Sequence, residues 1–104
     1  MGKNKDIEIL TNLMSRSLRH KIGSIVNENE IYAAKYAKDA ETLMKEAEKI
    51  LLNYNWNKID KLTIREKLSR KLKKELEEKE FLKDEKFEIM DKEIEKSLQK
   101  FNID

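Results

Sequence analysis

The sequence predicts an all-α protein, and three observations carry the prediction. The 104-residue chain has no proline and only two glycines, Gly2 and Gly23, so the residues that punctuate hairpins, tight turns and phosphate loops are missing. Apolar side chains recur at spacings of three and four over most of its length. Charged residues make up 42% of the chain, near the disordered range, but 38% hydrophobic content in periodic order is what folded helices need. The expected architecture is a small antiparallel helical bundle forming a single domain over residues 1–104. It has four helices, or three with the last one long, and is completed by dimerisation where one chain cannot cover its own stripes.

The first helix is expected over about residues 6–26, where Ile7, Leu10, Met14, Leu18, Ile22 and Ile25 form one apolar stripe. Asn27 followed by Glu30 has the form of a capping box and starts a second helix over about residues 30–53. This segment has the strongest pattern in the chain. Ala33, Ala40 and Ala47 stand one heptad apart, and Leu43 and Ile50 lie between and beyond them to complete a seam. Small residues at alternate seam positions let another helix approach closely, and that helix belongs either to the same chain, to a second copy or to a partner protein.

Asn53-Tyr54-Asn55-Trp56-Asn57 alternates amide and aromatic residues but is too short to stand as an unpaired strand, so it reads as a connector. Thr63 with Glu66 forms another capping box and places the third helix over about residues 64–82, with Ile64, Leu68, Leu72 and Leu76 at successive i+4 positions. Phe81 and Leu82 fall out of phase, after which Phe87, Met90, Ile94, Leu98 and Phe101 make a fresh face for a last helix over about residues 85–101, with Asp84 as its cap. One unbroken helix from Ile64 to Phe101 would be about 57 Å long against about 36 Å for the second segment, leaving much of its stripe uncovered. A break near Lys83 removes that mismatch.

The formal net charge of +2 conceals a reversal. Residues Lys58 to Lys74 carry eight basic side chains against two acidic ones, and Glu75 to Glu95 carry ten acidic against four basic. In a continuous helix this order opposes the macrodipole. In two antiparallel helices, within one chain or across a two-fold dimer, the blocks attract.

The composition also removes several chemistries. With no cysteine there are no disulfides and no thiolate-ligated zinc or iron–sulfur centres. No Glu-x-x-His pair, EF-hand loop, nucleophile elbow or glycine-rich phosphate loop is present, so neither a cofactor nor a metal nor catalysis is expected. The carboxylates of residues 75–95 read as a solvated acidic face. No apolar run is long enough to span a bilayer and residues 1–25 lack a signal-peptide core, which predicts a cytoplasmic protein with no membrane contact.

Two surface groups have the right chemistry for ligands. Trp56 precedes Lys58, Lys61, Arg65, Arg70, Lys71 and Lys74, pairing a stacking ring with cations that would neutralise phosphates. Arg16, Arg19 and His20 form a cationic strip beside the backbone of Gly23, a candidate anion site; a phospho-accepting histidine is disfavoured because Lys21 stands where an acidic residue is wanted. The leading expectation is a non-catalytic helical protein–protein interaction or assembly module, self-associating or docking a partner helix through the Ala33, Ala40 and Ala47 seam. The alternative is a nucleic-acid-binding protein using the basic helix 58–74 and Trp56.

Overall fold

Four helices pack in the computed structural model, which describes residues 2–26, 33–78 and 85–103: α1 (Gly2–Val26), α2 (Ala33–Leu51), α3 (Lys58–Glu77) and α4 (Glu85–Lys100). There is no strand among the described residues. The helical bundle read from the sequence is therefore the observed fold. The Asn27–Glu30 capping box and the features at Phe81, Leu82, Lys83 and Asp84 lie outside the described residues.

The bundle is organised around α1. It packs closely on α2, α3 and α4, while among the described residues the α2 backbone comes close to neither α3 nor α4. The apolar stripe explains part of this, since Ile7, Leu10, Met14, Leu18 and Ile22 are all buried. The rest comes from small polar residues on the flanks of that stripe. Thr11, Ser15 and Ser17 are buried, and each hydroxyl has a partner: Thr11 donates to the Ile7 carbonyl at 2.8 Å, Ser15 to the Glu75 carboxylate at 3.0 Å and Ser17 to the Ala40 carbonyl at 2.5 Å. A buried hydroxyl that is hydrogen-bonded escapes most of its desolvation cost, so these residues act as small spacers on which two further helices rest. Ile25, expected in the stripe, is instead 40% exposed.

Cross-helix pairs give the directions. Ser17 meets Ala40 and His20 meets Tyr36, and Lys3 donates to the Asn55 carbonyl, so α2 runs antiparallel to α1. Lys3 pairs with Asp60, Glu8 with Lys67 and Lys71, and Ser15 with Glu75, so α3 runs parallel to α1. Helix α4 closes on both, with Glu93 on Lys21 of α1 and Glu95 on Arg65 of α3. In an up-and-down bundle, neighbours in sequence are also neighbours in space. Here α2 and α3 are not.

The connector between α2 and α3 holds no strand, as expected, and is pinned to the start of α1. Trp56 Nε1–H donates to the Leu51 carbonyl at 2.9 Å, its ring lies 5.1 Å from that of Tyr54, and the Tyr54 hydroxyl donates to Asp6. The capping box of α3 is not Thr63 with Glu66. Asn57 accepts from the Asp60 amide at 2.8 Å while Asp60 accepts from the Asn57 amide at 3.1 Å. Thr63 lies within the helix and bonds back to the Ile59 carbonyl. The helix thus starts at Lys58; Ile59 and Leu62, 74% and 52% exposed, lie on its outer side, and the inner side of the first turn is held by the Asp60–Lys3 pair before the buried row of Ile64, Leu68, Leu72 and Leu76 begins.

Helix α4 ends in a Schellman motif. Asn102 takes a left-handed φ of 57°, its N–H donates to the Gln99 carbonyl, and the Ile103 N–H donates to the Leu98 carbonyl at 2.9 Å. Asparagine tolerates this conformation better than most non-glycine residues. The turn brings Ile103 back into the core, where it is 2% exposed.

Candidate functional site: a groove between α2 and α4

Because α2 rests on α1 alone, a groove of about 440 Å³ opens between α2 and α4 with α1 as its floor. Leu18 and Ile25 line it from α1, Ala37 and Met44 from α2, and Ser97 of α4 with Phe101 just beyond it from the other side. The exposure of Ile25 is therefore exposure into a groove.

The two edges differ in charge. Along the α2 edge stand Glu41, Lys45 and Glu48, and Lys45 leans 3.9 Å from Glu41. Along the α1 and α4 edge stand Lys21, Lys96 and Lys100. Lys21 and Lys96 share one carboxylate, Glu93, which is 3% exposed beneath them, and the Lys100 ammonium sits 5.6 Å from the Phe101 ring centre with no ion pair among the described residues. Burial pushes the Glu93 carboxyl up, but the hydrogen bonds and charges of Lys21 and then Lys96 outweigh it and hold the group below its ordinary value. Its Oε1 takes the Lys21 ammonium and its Oε2 that of Lys96. The sequence reading placed Glu93 on a solvated acidic face, and this is a correction. Its position three residues after Met90 and four before Ser97, both buried, is the signal that placed it at the helix interface.

The predicted seam is occupied by the chain's own α1. Ala40 and Ala47 are buried, with the Ala40 carbonyl accepting from Ser17, while Ala33, Leu43 and Ile50 are half-buried at its margins. The close approach foreseen from the alanine spacing is found inside one chain.

The predicted nucleic-acid contacts are dispersed. Trp56 packs against the core, Arg65 is held by Glu95, and Lys71 bonds Glu8 and Thr11. Lys58, Lys61, Arg70 and Lys74 form no ion pair among the described residues, but at about 100° per residue they point around the helix instead of sharing one face. The anion strip changes as well. Gly23 is buried, and a Cβ placed on it would meet the Tyr36 ring at 3.6 Å, so no bare backbone is presented beside Arg16, Arg19 and His20. The Arg19 guanidinium lies 3.3 Å from His20 Nε2, and the His20 ring faces Tyr36 at 5.7 Å.

Away from the groove, Glu8 is clamped by Lys67 and Lys71, whose hydrogen bonds lower its carboxyl to about 2. Asp60 is held below its ordinary value by Lys3. These pairs fix α3 on α1 and lie apart from the groove lining. No group of three or more His, Asp or Glu residues suited to a metal ion occurs among the described residues, and none of the described helices is long and apolar enough to cross a membrane. No protein-family model, curated protein or solved structure matches the chain, so a functional reading rests on geometry and chemistry alone.

Proposed function

We propose that this protein is a small helical interaction module without catalytic activity, which assembles by seating an amphipathic helix of a partner protein in the α1–α2–α4 groove. One observation carries the reading: α2 has a single helical neighbour, so the Ala37 and Met44 flank of α2 faces Phe101 across open space over the apolar floor of Leu18 and Ile25. An apolar trough between two helices is the shape used in helix-in-groove recognition. A helix laid there would complete the packing that α2 lacks.

The heptad of Ala33, Ala40 and Ala47 supports this indirectly. By holding α2 close to α1 through the Ser17 hydrogen bond, the small residues fix one wall of the groove while leaving its other flank uncovered.

The test is selection from a displayed library of helical peptides, followed by binding to the wild-type protein and to Ala37→Trp, whose indole would fill the groove from an exposed position. Amphipathic helices should be enriched and should bind wild type only, with the variant retaining its helical circular dichroism. No enrichment, or equal binding to both proteins, would show the reading to be wrong. Light scattering at low and high salt tests self-association separately, and a monomer mass in both is the expected result.

A further inference from the structure

Resting on that reading, we infer that the groove selects a helix with an apolar stripe and a row of acidic residues along the one flank that faces α4. The inference comes from the asymmetry of the two edges. Lys21, Lys96 and Lys100 are balanced by one carboxylate, that of Glu93, and it is buried below them rather than presented outward. The opposite edge has two glutamates, Glu41 and Glu48, against one lysine. Acidic residues on the α4 side of an incoming helix therefore meet cations, while the same residues on the α2 side meet like charge.

The edge is also held in place. Lys21 is drawn to Glu93 from α1 and Lys96 is drawn to the same carboxylate from within α4, at 3.2 Å. Both ammonium groups are thus fixed at the groove border before a partner arrives, which lowers the ordering cost of binding. Lys100 carries no carboxylate partner among the described residues and is the cation most available to an arriving one.

A second copy of this chain is a poor occupant. Groove against groove sets one concave surface on another and fills neither. The convex faces the copy could offer do not match the groove: Lys35, Lys38 and Lys49 lie with Glu46 on the exposed side of α2, the outer side of α3 mixes Glu66 and Glu77 with Arg70 and Lys73, and the exposed Glu88 and Asp91 of α4 share a polar face with Lys92. None of them combines a continuous acidic row with an apolar stripe, which the trough and its Lys96 and Lys100 edge call for.

Two synthetic helices test the assignment, each of about 18 residues, enough to span the length of α2. They share one leucine stripe, and one carries glutamate and the other lysine along the same flank. Fluorescence anisotropy of labelled peptide should show the glutamate helix binding at least about tenfold more tightly at low salt, with the difference shrinking as salt rises. Lys100→Glu should narrow or reverse that preference, and Lys96→Gln should narrow it in the same direction should the first variant unfold. Amide shifts should centre on Ala37, Met44 and Ser97. Equal affinities with shifts in the groove, or an unchanged preference in both variants, would overturn the acidic assignment and leave helix docking standing. Absence of groove shifts with either peptide would overturn both, and a dimer whose contacts map to the groove would make a second copy the occupant.

Discussion

Replacing Lys21 with Met removes the nearer counter-charge of a carboxylate that is 3% exposed, while keeping an aliphatic stem of similar length. Removing one partner of a fully buried ion pair costs about 3–5 kcal/mol, because the remaining charge is left desolvated. Here the Lys21 side chain is 47% exposed and Lys96 still reaches Glu93, so water and a second cation absorb part of the loss. A cost of about 1–2 kcal/mol follows, read as a drop in melting temperature of roughly 5–15 °C for a domain of this size. The assays are thermal and urea unfolding at neutral pH, followed by circular dichroism and by the fluorescence of Trp56. The sign of the pH dependence gives a second check. Because the folded-state pKa of Glu93 is lowered, its pair contributes stability above the ordinary carboxylate range and loses it as pH falls through the folded value. In Lys21→Met the burial effect gains weight, so the gap between variant and wild type should close in acid. Lys21→Met combined with Glu93→Leu should recover most of the loss, since a buried pair replaced by apolar groups of similar volume is often neutral. The reasoning fails if Lys21→Met is as stable as wild type at neutral pH, or if its deficit is constant down to acid.

Gly23→Ala should stabilise by about 0.5–1 kcal/mol in urea unfolding, because the added Cβ meets Tyr36 at an ordinary contact distance of 3.6 Å while the helix gains the propensity difference. Ala40→Leu should cost about 1–3 kcal/mol by overpacking the α1–α2 contact where Ser17 bonds the Ala40 carbonyl, again measured by urea midpoint. Asn57→Ala should cost about 1 kcal/mol whereas Thr63→Ala should be close to neutral, which distinguishes the two candidate capping boxes by thermal unfolding. Carboxyl chemical shifts should titrate Glu8 at about 2, and Lys71→Met should move that midpoint upward toward the ordinary value.

The stripes of all four helices were legible because burial of a helix face imposes spacings of three and four on apolar side chains, as at Leu10, Met14 and Leu18 or Met90, Ile94 and Leu98. What escaped was the burial of small polar residues. Thr11, Ser15 and Ser17 look like surface positions until their partners are known, and two of those partners, Glu75 and the Ala40 carbonyl, are distant in sequence. The start of α3 was misplaced for a related reason: Asn57 with Asp60 and Thr63 with Glu66 have the same local form, and the core row starting at Ile64 favoured the wrong one. The groove was not legible at all. It depends on the backbones of α2 and α4 standing apart, a relation between helices that no periodicity encodes.

The charge reversal between Lys74 and Glu75 is met only in part between the two blocks themselves. Attraction between the blocks is expected within one chain or across a two-fold dimer, and among the described residues one ion pair joins α3 to α4, Arg65 with Glu95. The other cross-helix pairs run through α1, which offers Glu8 to Lys67 and Lys71 of the basic block and Lys21 to Glu93 of the acidic block. Opposite charges at two points along α1 thus fix it against α3 and α4, and each pair would be broken by exchanging those two helices. The lysine given to Glu93 is at the same time a border residue of the groove, so the contact that orients α4 also sets the charge of the edge a partner helix would meet.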